Sequence, residues 1–115
     1  SETFKEFNLT PTQFGVMDIL NAKGRMKIGE LIDCMLATSG NMTVVIKNME
    51  KKGWLIRKAC QTDKRAFEID LTDEGRRIIQ AAIPPHQRAI DETFSVLSPD
   101  EQSQLVELLE KFKNV

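Results

Sequence analysis

Two cysteines and one histidine are the side chains of this sequence with the most obvious reactive chemistry. Cys34 and Cys60 are far apart in the chain, and His86 follows a pair of prolines. A structural zinc site needs about four nitrogen or sulfur ligands, and these three residues do not supply them. We therefore predict no metal site and no cofactor, and we expect both cysteines to be reduced thiols.

The two thiols differ in their expected surroundings. Cys34 lies in a helical pattern of apolar residues, so we expect a buried structural thiol. Cys60 ends a predicted strand near Lys58 and Lys64, and neighbouring cations lower the pKa of a thiol. A redox role for Cys60 therefore stays open beside the simpler interpretation of a structural residue.

Motifs of enzyme chemistry are missing from the sequence. There is no Gly-x-Ser-x-Gly, no glycine-rich phosphate loop and no His-Glu-x-x-His, so we expect no enzyme activity. The apolar runs are too short to span a bilayer, and no secretory signal is visible. We interpret this pattern as that of a cytoplasmic protein with no membrane partner.

Basic side chains are concentrated in the middle of the chain. The 115 residues have a net charge of −1, but residues 23–65 carry ten basic and four acidic side chains. The segments on either side are acidic overall. Because proteins bind DNA largely through its phosphates, a local basic cluster matters more than the average charge. The distribution therefore favours a nucleic-acid partner, which the net charge alone would argue against.

Two short amphipathic helices are predicted within the basic segment, separated by about three residues in the manner of a helix-turn-helix. The first has apolar residues at helical spacing, namely Ile28, Leu31, Ile32 and Met35. The second repeats that spacing with Met42, Val45, Ile46 and Met49. We expect the second helix over residues 39–52, with Thr38 or Ser39 as its cap and Gly53 as its stop.

The face of this second helix opposite its apolar stripe suits the major groove of DNA. Asparagine can pair with adenine, threonine and valine can contact a thymine methyl group, and lysine can reach guanine or phosphate. The residues on and beside this face are Gly40, Asn41, Thr43, Val44, Lys47, Asn48 and Lys51. An ordinary solvated helix face is the alternative interpretation.

A β-hairpin is predicted directly after the second helix, with strands over residues 54–60 and 67–71. Its polar tip presents Lys64 and Arg65, and an inserted arginine is attracted to the narrow minor groove of A·T-rich DNA. Asp63 could orient Arg65 or Arg57 through a charge-assisted hydrogen bond. An ordinary polar turn is the alternative here.

Strong helix signals lie on both sides of the basic segment. Thr10 and Ser98 each begin a capping box with proline at the first helical position, and Thr72 can cap a third helix. Residues 1–7 are typical of the end of a helix. We expect Pro84-Pro85 to kink or interrupt the helix that begins at Asp73.

Several short motifs occur together in a characteristic order. They are Leu9-Thr10-Pro11-Thr12-Gln13-Phe14, Ile28-Gly29-Glu30-Leu31, Asn41-Met42-Thr43, Met49-Glu50-Lys51-Lys52-Gly53, Asp63-Lys64-Arg65 and Leu71-Thr72-Asp73-Glu74-Gly75. With them the chain resembles the multiple-antibiotic-resistance-regulator (MarR) family of bacterial or archaeal transcription factors. Asp63-x-Arg65 followed by Leu71-Thr72-x-x-Gly75 is the most specific part, and the resemblance covers nearly the whole chain.

The resemblance implies a mainly α fold with a small β-hairpin wing, in which a winged helix-turn-helix is flanked by dimerisation helices. We expect residues 1–8 to be the remnant of an N-terminal dimerisation helix, 9–75 the DNA-binding lobe and 76–115 the C-terminal dimerisation helices. The apolar residues expected to pair two copies are Phe4, Phe7, Ile90, Phe94, Leu105, Leu108, Leu109 and Phe112.

The resemblance also implies a function. The family binds palindromic double-stranded operators as homodimers, usually as repressors, and many members release DNA when a small aromatic or anionic effector binds. By this resemblance the recognition helix carries Ser39, Gly40, Asn41, Thr43, Val44 and Lys47, to which we add Thr38 and Asn48. Arg65, with Lys64 beside it, matches the minor-groove arginine of the wing, and Asp63 matches its supporting carboxylate. A winged-helix module that binds an acidic protein and no DNA is the alternative.

Overall fold

The computed structural model describes residues 2–35, 42–63 and 65–114. Helix α1 spans Glu2–Glu6, α2 spans Pro11–Lys23, and strand β1, Met26–Lys27, leads into α3, Ile28–Cys34. Helix α4 spans Met42–Lys51, and strands β2 and β3 span Leu55–Ala59 and Phe67–Leu71. Helix α5 spans Asp73–Phe94, α6 spans Pro99–Glu110, and a 3-10 turn covers Lys111–Asn114. Within these ranges no helix is both long enough and apolar enough to cross a membrane.

Both predicted capping boxes are present. At the start of α2 the backbone N–H of Gln13 donates to the Thr10 hydroxyl at 3.1 Å, and the Thr10 N–H donates to the Gln13 side chain at 3.0 Å. Ser98 and Glu101 make the same reciprocal pair at the start of α6, at 2.8 and 3.2 Å. These bonds satisfy N–H groups that a helix leaves without partners in its first turn.

The predicted hairpin forms two strands of a three-stranded antiparallel sheet with the order β1-β3-β2. Leu55 lies opposite Leu71 across the hairpin, and Met26 of β1 lies opposite Ile69 on the other side of β3. Strand β1 was not predicted, because a strand of two residues has no alternating pattern to detect. The central position of β3 explains its buried Ile69 and Leu71.

Apolar residues from α2, the sheet, the two predicted helices α3 and α4, and the first part of α5 form one core. The largest side chains that are fully buried are Val16, Met17, Leu20, Leu31, Ile46, Met49, Ile69 and Ile79. Phe4 and Phe7 pack against this core, and the rings of Phe4 and Phe14 lie 5.2 Å apart. Cys34 is only half-buried, with the Lys23 ammonium 3.7 Å from its sulfur, so the expectation of a buried thiol there is wrong.

The chain divides into two compact units, residues 1–83 and 84–115. The boundary falls at the proline pair, where a kink or an interruption was expected. Helix α5 continues through Pro84 and Pro85, so the prolines do not interrupt it. A proline cannot donate to the carbonyl four residues earlier, and here those carbonyls belong to the exposed residues Gln80 and Ala81. Because water can satisfy these carbonyls, the helix tolerates both prolines.

The Leu71-Thr72-x-x-Gly75 motif joins the end of α4 to the start of α5. The Thr72 hydroxyl donates to the Gly53 carbonyl at 2.5 Å, and the Thr72 N–H donates to the Trp54 carbonyl at 3.0 Å. The same hydroxyl accepts the Gly75 N–H at 3.0 Å, which confirms Thr72 as the cap of α5. Gly53 has a φ of +79°, a conformation that favours glycine after a helix.

Gly75 is required where it stands, because a Cβ atom at this position would lie 2.2 Å from the Trp54 carbonyl oxygen. We expect Gly75→Ala to lower the free energy of unfolding by about 2 kcal/mol or more, since backbone must move to admit the methyl group. Gly29→Ala is the matched control, because no atom lies within 4 Å of its added Cβ, and the helix should gain up to about 1 kcal/mol. Denaturant unfolding measures both, and equal stabilities would contradict this account of the motif.

Candidate nucleic-acid interface

Helix α4 has one buried face and one exposed polar face, as its sequence pattern predicts. Met42, Ile46 and Met49 are buried in the core, and Val45 is half-buried. The opposite side exposes the predicted contact residues Thr43, Val44, Lys47 and Asn48, together with Lys51. Val44 is the apolar residue of this polar face, and 48% of its surface is exposed to solvent.

Five of the predicted DNA-contacting residues lie outside the described ranges. They are Thr38, Ser39, Gly40, Asn41 and Lys64. The expected start of the recognition helix at residue 39, and its expected cap, also lie outside the described ranges, in residues 36–41. The described part of the candidate interface is therefore α4 from Met42 onwards and the hairpin apart from residue 64.

The hairpin tip presents Arg65 to solvent. Its side chain is 95% exposed, and its Nε atom is 3.8 Å from the Asp63 carboxylate. Asp63 makes a shorter contact with the backbone, because its Oδ1 accepts the Arg65 N–H at 3.0 Å. The carboxylate therefore shapes the turn that carries Arg65 and leaves the guanidinium group in water.

Arg57 has a different carboxylate partner. Its Nε donates to the Glu50 Oε1 at 2.9 Å, which connects β2 to the last turn of α4. The sequence left open whether Asp63 orients Arg65 or Arg57, and in the structure Asp63 contacts Arg65. Glu50 was not predicted as this partner, because a separation of seven residues across a turn lacks the local spacing of a helical ion pair.

Further ion pairs lie on the opposite face of the hairpin. Asp70 on β3 accepts from Lys58 on β2 at 3.1 Å and lies 3.9 Å from Arg76 on α5. Glu68 on β3 lies 3.3 Å from Arg25, which precedes β1. These pairs link the two hairpin strands to each other and β3 to the elements beside it.

Cys60 lies buried at the base of the hairpin tip. Its sulfur is 3.3 Å from the Thr62 hydroxyl. Hydrogen bonds from this hydroxyl, and then from the backbone at Thr62 and Asp63, lower the pKa of the Cys60 thiol. The direction agrees with the expectation from the sequence, but the cause is hydrogen bonding.

The C-terminal unit exposes a row of apolar side chains. Ile90 and Leu105 are half-buried, while the other predicted dimerisation residues of this unit, Phe94, Leu108, Leu109 and Phe112, are 37% to 69% exposed. No residue of α6, Pro99–Glu110, is buried. A groove of about 230 Å³ runs between the C-terminal part of α5 and α6 and is lined mainly by apolar residues. Val106, which was not among the predicted dimerisation residues, also lines this groove and is 53% exposed.

The chain is similar to known transcriptional regulators in sequence. The model of the MarR family matches residues 9–67. The HTH-type regulator YkoM of Bacillus subtilis is 40% identical over 107 residues, which are 93% of this chain and 70% of YkoM.

Solved structures give the same result. A variant of MarR from Escherichia coli in complex with operator DNA has a TM-score of 0.84 and is 26% identical, with 96% of this chain and 79% of that chain covered. BpsR from Bordetella bronchiseptica, described with the regulation of its DNA binding by 6-hydroxynicotinic acid, has a TM-score of 0.78 and is 25% identical, with 90% and 78% covered. The family match over half of the chain, the relative at 40% identity and the shared winged helix-turn-helix lead to one conclusion: the chain belongs to the MarR family.

Proposed function

We propose that this chain is a sequence-specific DNA-binding transcriptional regulator that represses by binding a palindromic operator as a homodimer. The observation that carries the proposal is the exposed polar face of α4, which belongs to the same compact unit as the exposed Arg65. A helix enters the major groove and an arginine enters the adjacent minor groove in this mode of binding. The related MarR variant that was solved with operator DNA supports the assignment.

Helix α4 is proposed to read bases in the major groove. Lys47 and Asn48 provide hydrogen-bond donors that suit guanine, phosphate or adenine. Val44 and Thr43 provide methyl groups, and contact with a thymine methyl would bury the exposed valine. Thr38, Ser39, Gly40 and Asn41 complete the proposed surface on the N-terminal side of the helix.

Arg65 is proposed to enter the minor groove, with Lys64 beside it. The Arg65 side chain is almost fully exposed, so moving it from water to DNA disrupts little existing structure. A minor groove narrowed by A·T sequence has an enhanced negative potential that attracts the guanidinium group. Asp63 supports this contact by holding the backbone of the tip, as its bond to the Arg65 N–H indicates.

The exposed apolar side chains of the C-terminal unit are proposed to pair two copies of the chain. A helix of 12 residues with no buried side chain needs another surface to pack against. A two-fold dimer places two copies of α4 on successive turns of DNA, which matches a palindromic operator. Phe4 and Phe7 pack against the core of the first unit, so they have less apolar surface to offer a partner.

A small aromatic or anionic molecule is the proposed effector. The support comes from BpsR, a structural neighbour whose DNA binding is regulated by 6-hydroxynicotinic acid. A ligand shifts DNA affinity only if it binds one conformation of the dimer more tightly than another.

Arg65→Ala tests the wing contact. Loss of the guanidinium group should weaken binding to an operator selected from random DNA by about five- to 150-fold, because one specific arginine contact contributes about 1–3 kcal/mol. Fluorescence anisotropy at one fixed salt concentration measures the change. Lys111→Ala removes one positive charge from the C-terminal unit and should leave the affinity within about twofold. If neither the parent chain nor either variant shows sequence-specific binding, the protein-interaction alternative is favoured.

Lys47→Ala tests the electrostatic contribution of α4. If Lys47 neutralises a phosphate, the slope of log K against log salt should decrease in magnitude by about one. Titrations of the same operator at several salt concentrations give the slope, and Lys111→Ala again serves as the control. An unchanged slope for Lys47→Ala would remove Lys47 from the phosphate contacts.

Leu109→Asp tests the proposed dimer. A charge at this residue, which is 55% exposed, should convert the dimer to a monomer, because burying an unpaired carboxylate in an apolar interface is strongly unfavourable. Sedimentation equilibrium measures the mass. Glu107→Gln, an exposed position on α6, should leave the dimer intact. A parent chain that is monomeric at micromolar concentration would contradict the proposed interface.

A further inference from the structure

The ion pair between Glu50 and Arg57 connects the proposed recognition helix to the wing. Glu50 lies in the last turn of α4, and Arg57 is the central residue of β2. The two side chains meet at 2.9 Å and are both partly buried, with 26% and 33% of their surfaces exposed. Partial burial makes such a pair less sensitive to screening by salt than an exposed pair.

Glu50 is an unusual residue for its position. It is the one acidic residue between Asp33 and Asp63, in the most basic segment of the chain. A carboxylate near phosphates opposes DNA binding, and a carboxylate in the last turn of a helix is disfavoured by the helix dipole. Neither helix stability nor affinity for phosphate accounts for Glu50, whereas its bond to Arg57 does.

Arg57 faces the core side of the hairpin. It lies opposite the buried Ile69, and its neighbours on that face of the strand include the buried Leu55. The hairpin extends beyond Arg57 at about 3.3 Å per residue, so its tip lies on the order of 10 Å away. A small rotation of β2 at Arg57 therefore displaces the tip, and Arg65 with it, by about an ångström.

Attachments of the hairpin to the rest of the unit are unequal on its two sides. On the side of β3, pairing with β1 and the contact between Arg25 and Glu68 hold the strand. β2 lies at the other edge of the sheet, and the ion pair that its Lys58 makes runs to Asp70 within the hairpin itself. Among the described residues, the pair between Glu50 and Arg57 is the only ion pair that joins β2 to α4.

We infer that Glu50 and Arg57 are positioning residues that set the distance between the major-groove contact of α4 and the minor-groove contact of Arg65. This inference rests on the proposed function. The pair contacts no DNA in this account. It acts through Arg65, so its loss should make Arg65 ineffective while α4 continues to bind.

A double-mutant cycle tests this coupling. Arg65→Ala is measured in the parent chain and in Glu50→Gln and Arg57→Gln backgrounds, on one selected operator at one salt concentration. We expect the loss caused by Arg65→Ala to fall from about tenfold or more in the parent to about twofold in either background. Thermal unfolding of each variant checks that all of them are folded at the temperature of the binding measurement.

The two backgrounds separate positioning from general electrostatics. Glu50→Gln removes a negative charge and should raise non-specific affinity, whereas Arg57→Gln removes a positive charge and should lower it. Only a role as a pair predicts that both reduce the effect of Arg65→Ala. Glu74→Gln is the charge-matched control on α5, where Glu74 pairs with Arg77, and it should leave the effect of Arg65→Ala unchanged.

Equal losses from Arg65→Ala in the parent and in both backgrounds would overturn this inference and leave the proposed function intact. Opposite changes in the two backgrounds would also overturn it, because they would reflect charge alone. No loss from Arg65→Ala in the parent chain would overturn the wing contact in the proposed function, and the positioning role with it.

Discussion

The Trp54 carbonyl oxygen and the backbone of Gly75 lie so close that no side-chain carbon fits between them. This approach joins the end of α4, the start of β2 and the first turn of α5 at one point. Thr72 secures it with hydrogen bonds to both Gly53 and Trp54, and it caps α5 with the same hydroxyl. The orientation of α4 relative to the hairpin therefore depends on a backbone junction, to which the bond between Glu50 and Arg57 adds a side-chain connection.

Charged side chains are unevenly distributed along this chain. The net charge of −1 is the sum of a basic middle segment and two acidic flanking segments. Two acidic residues of the basic segment, Glu50 and Asp63, each contact an arginine of the hairpin. Asp63 shapes the turn around Arg65, whereas Glu50 holds Arg57 against α4. Carboxylates that would oppose phosphate binding are thus paired with arginines. Lys47 and Lys51 remain exposed on α4, and the side chain of Arg65 stays 95% exposed beside Asp63.

Features that depend on neighbours in sequence could be predicted, and features that depend on distant contacts could not. The capping boxes at Thr10 and Ser98 follow from residues three positions apart. The strand Met26–Lys27 is defined only by its pairing with β3, and the partner of Arg57 is defined only by the packing of β2 against α4. From the sequence, Pro84-Pro85 were expected to kink or interrupt the helix. The helix continues, and the residues whose carbonyls lose their donors, Gln80 and Ala81, are exposed, which is a property of the folded chain. For the candidate site, the exposed face of α4 was predictable from helical periodicity, but the residue that connects it to the hairpin was not.

The lack of any buried side chain in α6 has a consequence for the amount of protein in the cell. Short isolated helices are marginally stable in water. In a dilute single chain, α6 should therefore unfold often and expose its backbone to proteases. In the proposed dimer the C-terminal unit is protected by mass action, since association stabilises the folded form more strongly as the concentration of the chain rises. Scarce copies would then be degraded faster than abundant ones. The same apolar side chains that pair two copies would sharpen the threshold of expression at which the regulator begins to accumulate.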